Sequence, residues 1–565
     1  MASEAVVAVK KKTMVAADDR RGSWLFRVLL LAALVATMLL LLVFGRSVGA
    51  PAVWVTTSAV ASSGEDSSTG CLQRRPAGSN DKLLGGLLAD GFDERSCYSR
   101  YQSAMYHRNA GRQPFPYLVS KLRRQEALQK RCGPGTAAYS AAVEQLRSGA
   151  RGGAVGSPEC KYLVSISYSG LGNRILAAAA AFLYAMLTDR VLLVDPGYNV
   201  ADLFCEPFPD TSWLVPPGFP LSGYTNFSDS TAKRWGNAMR NQVSARRTDA
   251  AGEVSSSPPP VFTYVHLGHD AAEEDKRFFC DEDQRLLRGV PWVVMRTNNY
   301  IVPGLFLVAA FRDELGRLFP EPDAAFHHLG RYLFHPTNHV WGLITRYHAA
   351  YLAPARRRVG VQVRVFGGPP NSPLLLEQIT ACTQRRGLLP EVLSGAEGRR
   401  GTVPVPAPPG PESTAVLVTS LNAWYHEKLK SMYWEHAAAT GEAVSVHQPS
   451  HEEFQQYGAR AHDARAWAEI YLLSLTDELV TSAWSTFGYV AQGLGGLRSW
   501  VIYTPPNETR LPDPPCSQDV SMDPCYHFPP LKDCRSNRRT DTGKIMPQIQ
   551  NCIDVSWGLK LVQAN

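Results

Sequence analysis

The sequence predicts an α/β architecture built as two Rossmann-like halves, each a parallel sheet covered by helices. Three observations predict it. Short apolar, β-branched runs alternate with helical stretches through both halves of the chain, the rhythm of strands joined by crossover helices. A β-turn-α-β unit opens at Tyr162. The run Val359-Gly-Val-Gln-Val-Arg-Val-Phe366 reads as a buried strand with one arginine, Arg364, set into it. A guanidinium in such a run calls for an anionic partner.

Composition bounds the rest. The 565 residues suffice for more than one domain. Charged residues make up 19% and hydrophobic residues 45%, the balance of a folded protein. The net charge of +7 partly reflects a basic N-terminal tail. No Lys/Arg stripe interleaved with aromatics occurs, which argues against nucleic acid as a partner. The 11 cysteines all follow residue 70 and include no C-x-x-C pair. That disfavours a structural zinc site and favours disulfides in an oxidising compartment. The odd count leaves at least one thiol free or paired with another chain.

The N-terminal region comes first in order. Val28 to Phe44 is apolar apart from Thr37, near the lower limit for a spanning helix. Lys10, Lys11, Lys12, Arg20, Arg21 and Arg27 precede it, and Arg46 alone follows closely. This asymmetry predicts an uncleaved anchor over 28–45, a cytosolic tail over 1–27 and a lumenal body; a cleaved signal peptide is the competing reading. Residues 46–80 read as a flexible stem. The sequons at Asn226 and Asn507 agree with a lumenal body.

An N-terminal Rossmann-like domain is assigned to 81–340. Residues 81–160 read as polar helices. Tyr162–Tyr168 is a strand, Ser169–Arg174 a tight turn, Ile175–Leu187 a helix and Val191–Asp195 a strand. The glycine pair Gly170 and Gly172 falls short of a dinucleotide fingerprint, because Ile175 stands at its third glycine position. It suits a turn that offers backbone N–H groups and Asn173 at the head of a helix, or a βα turn with no ligand. Residues 205–260 read as loops, 261–267 and 292–296 as strands, and 339–352 as a helix.

The C-terminal domain is assigned to 341–505. Its strands are expected at 359–366, 415–420, 443–447, 479–484 and 500–503. Its helices are expected at 422–439, 461–476 and 485–494, with a long Gly/Pro-rich loop over 386–412. A tail over 506–565, with Cys516, Cys525, Cys534 and Cys552, is expected to be pinned by disulfides.

Ligands of open parallel sheets sit at the carboxyl ends of the strands. Arg364, Ser420 and Ser485-Thr-Phe-Gly488 fall there. The last opens a helix whose hydroxyls and free N–H groups suit a phosphate, and Arg364 can grip diphosphate oxygens with two N–H groups. Taken separately, Ser485 and Thr486 could be simple helix caps and Arg364 a structural ion pair. Together they point to a diphosphate site. Asp281-Glu-Asp283 has the D-x-D form of a metal–diphosphate ligand but reads as a solvated or cap-forming segment. His266, His269, His327 and His328 read as core or surface histidines. Glu469 and Asp477 read as solvated or helix-end charges.

Two such halves behind a lumenal anchor suggest a two-domain glycosyltransferase that uses a nucleotide sugar. Four motifs sharpen this: Ser169-Gly-Leu-Gly-Asn-Arg-Ile-Leu176, Gly360-Val-Gln-Val-Arg-Val-Phe366, Leu417-Val-Thr-Ser-Leu-Asn-Ala-Trp-Tyr425 and Asp477-Glu-Leu-Val-Thr-Ser-Ala-Trp-Ser-Thr-Phe-Gly-Tyr489. In this order they resemble the plant xyloglucan-type galactoside 2-α-L-fucosyltransferases, and the likeness runs from about residue 80 to the C-terminus. The resemblance implies a variant GT-B fold in a Golgi type II membrane protein. It implies GDP-fucose as donor, inversion at the anomeric carbon, no cofactor or metal, and a galactosylated cell-wall glycan as acceptor. A homodimer is compatible with it. By position, Arg364 resembles the arginine that binds the donor diphosphate. Ser485, Thr486 and Phe487 resemble the donor-side loop, and Asn173, beside Gly172, the asparagine of the first glycine turn; Ser420 joins them on the donor side. Asn298 and Tyr300 lie in a segment similar to the acceptor side. Some xyloglucan-acting relatives carry an acidic residue there, where this chain has Asn298 and Asn299. No general base is singled out; Asp275, Asp270 and Glu274 are nearby candidates. The alternatives are a non-catalytic lumenal glycan-binding protein on the same fold and a transferase using another sugar nucleotide.

Overall fold

The computed structural model describes residues 83–108, 111–149, 160–221, 223–228, 230–231, 233–237, 260–393, 413–503, 509–531, 534 and 546–563. All belong to one compact unit, residues 75–565. The expected anchor over 28–45, its cytosolic tail, the stem, Cys71 and the sequon at Asn507 lie outside the described residues, as does 394–412 of the Gly/Pro-rich loop. Among the described residues no helix is long and apolar enough to cross a membrane.

Helices α1 (Pro116–Cys132) and α2 (Ala137–Ser148) precede the first sheet. That sheet contains β1 (Lys161–Ser167), β2 (Arg190–Val194), β3 (Phe262–His266) and β4 (Trp292–Thr297). Its order is β2-β1-β4-β3 and every pairing is parallel. Helix α3 (Leu171–Leu187) crosses from β1 to β2. Helices α4 (Ala325–Leu333) and α5 (Asn338–Tyr347) lead towards the second sheet.

The second sheet contains β5 (Arg357–Val363), β6 (Ser413–Ser420), β7 (Ala443–His447), β8 (Glu478–Ser482), β9 (Trp500–Ile502) and β10 (Ser517–Gln518). Its order is β10-β9-β8-β5-β6-β7, parallel except at the edge strand β10. Helices α6 (Pro373–Arg385), α7 (Trp424–Glu435), α8 (Arg460–Ser474) and α9 (Thr486–Gly495) connect its strands. A hairpin of β11 (Ile549–Asn551) and β12 (Leu559–Leu561) closes the chain.

Strand alternation sorts the side chains into three cores. Tyr162, Val164 and Ile166 of β1 pack with Val294 of β4 on the outer face of the first sheet. Val359, Val361 and Val363 of β5 pack with Val416, Val418 and Val480 on the outer face of the second. The inward residues, such as Leu163, Met295, Leu417 and Leu479, share one large core with α3, α4, α8 and α9. Helix α3 is buried along nearly its whole length, and its run of alanines lets it lie inside that layer. Gly360 serves the same end: a Cβ there would stand 2.9 Å from Leu473 of α8.

Several local expectations are corrected. The turn expected over 169–174 is already helix from Leu171, because Gly170 is the extended cap and glycine at 172 fits a tight contact described below. The strand expected to reach Phe366 stops at Val363, so Arg364 stands just past the last paired residue. Helix α6 was not anticipated; Ser372 caps it by accepting from Leu375 N, and Pro373 starts it. Helix α7 is shorter than expected, since Asn422 folds back to accept from Trp424 N before it begins.

Among the described residues ten cysteines pair: Cys97–Cys205, Cys132–Cys160, Cys280–Cys534, Cys382–Cys516 and Cys525–Cys552. The third and fourth tie the C-terminal tail to segments of both halves. A buried ion pair does the same work without a covalent bond. Lys560 of β12 meets Asp519, each 1% exposed, and Asp519 also accepts from Gln492 of α9. Removing one member of such a pair strands a buried charge at a cost of about 3–5 kcal/mol. Lys560→Met should therefore lower unfolding free energy by about that amount in a denaturant titration, although methionine restores the lost bulk.

Candidate active site

In each sheet the strand order reverses between the first strand and its later neighbour: β1 beside β4, and β5 beside β8. Such switch points open a crevice at the carboxyl ends. The structure brings these two crevices to one cavity of about 330 Å³, within the range of a small-ligand pocket. The segments after β1 (169–173), after β5 (364 and 366), after β6 (420–421) and after β8 (484–487) line it, together with the 450–457 loop and one face of α8. Gly172, Asn173, Arg364, Ser420, Ser485, Thr486 and Phe487 all reach it.

The two helices that begin here, α3 and α9, touch at their first turns. A Cβ on Gly172 would lie 2.7 Å from the carbonyl carbon of Thr486 and 2.8 Å from Phe487 N. The contact is sealed by a relay of side chains. Thr486 Oγ1 donates to Asn173 Oδ1 at 3.0 Å, and Asn173 Nδ2 donates to the Asn298 carbonyl at 3.0 Å. Asn298 Nδ2 donates to Ser169 Oγ at 3.2 Å and to His269 Nδ1 at 3.0 Å. Arg174 pairs with Asp463 of α8 at 2.9 Å, both almost fully buried. Two helix N-termini, with their free N–H groups and positive dipole ends, thus face one space.

Arg364 is the third cationic element. Its backbone N donates to Ser482 Oγ at 2.9 Å, its Nη2 donates to Gln455 Oε1 at 3.2 Å, and its guanidinium lies 5.5 Å from the centre of the Phe366 ring. It forms no carboxylate pair among the described residues, so the structural ion pair is not what holds it there. Ser485 does cap α9, accepting from Gly488 N at 3.4 Å. Its hydroxyl proton remains available to a ligand, so the capping and phosphate readings coexist.

Glu469 corrects the sequence reading. It is buried, lines the cavity and accepts from Ser450 Oγ. Burial pushes its carboxyl up to about 8, against the Ser450 hydrogen bond and with help from the nearby Glu452 charge. It is therefore mostly neutral at pH 7 and does not repel an anion. His462, Asp463, Ala466 and Glu469 form one stripe of α8 at helical spacing. That periodicity, polar where a buried face was due, was the signal the sequence offered. Gln362, Gln455, Tyr457 and Trp484 were likewise missed; three of them come from loops or strand ends whose side chains only the fold brings to one place.

Other candidates move away from the cavity. Asp275 is 1% exposed, gripped by Arg234 through Nε at 2.9 Å and through Nη2, and does not line the cavity. Tyr300 is buried and donates to Asp523 at 3.1 Å; it belongs to the core. Asp270 stays partly exposed and accepts from His266 Nε2 at 2.9 Å and Tyr168 at 3.3 Å. Partial burial raises its pKa, but the hydrogen bond and charge of His266 outweigh that and leave it lowered. It does not line the cavity. Asp283 accepts from Trp235 and Arg277, and Asp281 from Ala310 N, which leaves the D-x-D triplet tied to protein partners. The nearest approach to a metal-ligand cluster among the described residues, Cys525, Cys552 and Asp554, contains two cysteines already bonded to each other.

The profile of the family described as xyloglucan fucosyltransferase matches residues 56–535. A galactoside 2-alpha-L-fucosyltransferase of Pisum sativum is 52% identical over 487 residues, covering 86% of this chain and 82% of the relative. One of Arabidopsis thaliana is 53% identical over 485 residues, covering 86% and 83%. The solved structure of a mutant of Arabidopsis thaliana FUT1 in complex with GDP is 51% identical, with a TM-score of 0.77 over 85% of this chain and all of that one.

Two outcomes follow from the contacts. Gly172→Ala drives a methyl into the backbone of α9, and overpacking of this kind costs about 1–3 kcal/mol. Both the melting temperature and nucleotide affinity should fall. For Glu469, the folded pKa lies above the unfolded one. Its contribution to stability is full below about pH 4.5 and is lost as pH rises through about 8. Calorimetry from pH 5 to 9 should show that loss in the parent and a flatter profile in Glu469→Gln. Affinity for GDP should fall over the same upper range in the parent alone.

Proposed function

The chain belongs to the xyloglucan fucosyltransferase family, and on that premise we propose that it transfers L-fucose from GDP-fucose, with inversion, to the 2-hydroxyl of a terminal galactose on a cell-wall glycan, xyloglucan foremost. The single observation that carries the reading is the convergence of Arg364 and the N-termini of α3 and α9 on one cavity, the chemistry a diphosphate requires. Two sheets meeting across a cleft support assignment to a variant GT-B fold, with the first half on the acceptor side and the second binding the donor.

The galactose 2-hydroxyl attacks the anomeric carbon from the face opposite GDP. The C–O bond to the β-phosphate lengthens as the new bond forms, and the sugar gains oxocarbenium character. Negative charge grows on the departing diphosphate. Arg364, the N–H groups at the start of α9 and the Ser485 and Thr486 hydroxyls are fixed before the reaction and meet that charge without reorganising. Neutral Glu469 adds no opposing charge. Leaving-group stabilisation is thus assigned to protein groups, with no metal required.

We place the enzyme in the Golgi membrane with its body in the lumen. The Lys/Arg asymmetry about the 28–45 span, the five disulfides and the exposed sequon at Asn226 support this.

Replacing Arg364 by lysine keeps the charge but loses the two-pronged grip. Loss of one such preorganised donor lowers kcat by about 10²–10³-fold. Arg364→Lys should show that loss with GDP-fucose and a galactosylated acceptor while its melting temperature stays that of the parent. Near-normal turnover by the variant refutes the assignment. A parent protein that binds the glycan but neither GDP nor GDP-fucose would instead be a lectin.

A further inference from the structure

Arg364 is the cation on which the donor reading turns, and few groups hold its side chain. Beyond the Phe366 ring, its guanidinium has one partner among the described residues, Gln455 Oε1. An arginine stem left to itself populates many rotamers. Ordering it at the moment of binding subtracts from affinity. What fixes Gln455 therefore bears on how well Arg364 can grip.

Gln455 belongs to a strap, residues 450–458, that is tied down at both ends. At its start Ser450 donates to Glu469, and Glu452 accepts from His462 Nδ1 at 2.9 Å and from Arg465, all on α8. At its end Asn199 Nδ2 of the first half donates to the Gly458 carbonyl at 3.0 Å, and Arg460 pairs with Asp202 at 2.9 Å. Glu453 and Gly458 take left-handed backbone, φ 61° and 76°. Between them Phe454 and Tyr457 are 63% and 64% exposed. Gln455 is the better buried of these three and lines the cavity. With Oε1 accepting from Arg364, its Nε2 faces the head of α3, 3.1 Å from where a Cβ on Gly170 would stand. The amide is thus wedged between the arginine and the first half of the fold.

We propose that Gln455 is a positioning residue for Arg364: held by a strap anchored on both halves, it sets the guanidinium fork towards the diphosphate before the nucleotide arrives. The proposal rests on the preceding reading, that the cavity holds the nucleotide sugar. A neutral acceptor suits the task. A guanidinium offers five N–H donors; Gln455 takes one of them and leaves the positive charge uncancelled. A carboxylate at 455 would hold the fork as firmly but neutralise it. An apolar side chain would leave it unheld. Orientation matters here because a two-pronged contact needs both N–H groups aligned at once.

A double-mutant cycle read by calorimetric titration of the full chain with GDP tests this. Gln455→Ala should bind GDP about tenfold more weakly, the scale of a lost hydrogen bond to a charged group. Its kcat with GDP-fucose and a galactosylated acceptor should fall at least as far, because the charge that Arg364 meets grows as the diphosphate leaves. In the Arg364→Lys background no planar fork remains to be set, and Gln455→Ala should change GDP affinity by less than about twofold. Gln455→Met fills the space without an acceptor and should match Gln455→Ala. An equal loss in both backgrounds, no loss in the Arg364 background, or recovery by methionine overturns the inference. Failure of the donor reading shows separately, as absence of GDP binding by the parent protein.

Discussion

The site depends on one close approach, the backbone of Gly172 against the peptide joining Thr486 and Phe487. Any side chain at 172 would separate the first turns of α3 and α9, and with them the carboxyl ends of the two sheets. Helix dipoles act only over a turn or so. Two N-termini serve the same anion only when their first turns are this near, and a residue without Cβ permits it.

The rest of the cleft can be understood as support for that contact. The relay from Thr486 through Asn173 to Asn298 satisfies polar groups that the approach would otherwise bury unpaired. Arg174 and Asp463 fasten the first turn of α3 to α8. The disulfides and the Lys560–Asp519 pair hold the tail so that Asp554 accepts from Trp484 N and His527 lines the cavity. Positive character is thereby concentrated on one side of the cavity, while the carboxyl of Glu469 is kept protonated by burial. On the function proposed above, such an arrangement would favour a diphosphate and, more strongly, the extra charge it gains as it leaves.

Much of this was legible before any coordinates. The parallel architecture follows from period and order, and the family follows from the four motifs. The cavity-lining residues Arg364, Ser420 and Ser485 were readable because each sits at or just past the end of its own strand, where local pattern and position coincide. Legibility failed where a residue's role depends on what a distant segment does with it. Asp275 looked like a free carboxylate until Arg234, 41 positions away, closed on it. Tyr300 looked like a cleft residue beside Asn298, yet the next turn of chain carries it into the core against Asp523. Glu469 looked like surface charge because a helix alone does not say which face is covered.

The sequence by itself determined the sheets, the strand-end positions of Arg364, Ser420 and Ser485, and the glycine at 172, because these are set by local period, by backbone sterics and by the scarcity of charge within apolar strands. Only the tertiary structure decided that α3 and α9 open onto one cavity, that burial raises the carboxyl pKa of Glu469, and that Trp484 reaches the cavity rim. Those are properties of pairs of segments up to several hundred residues apart, and their energies arise from burial and proximity, which no local stretch of chain contains.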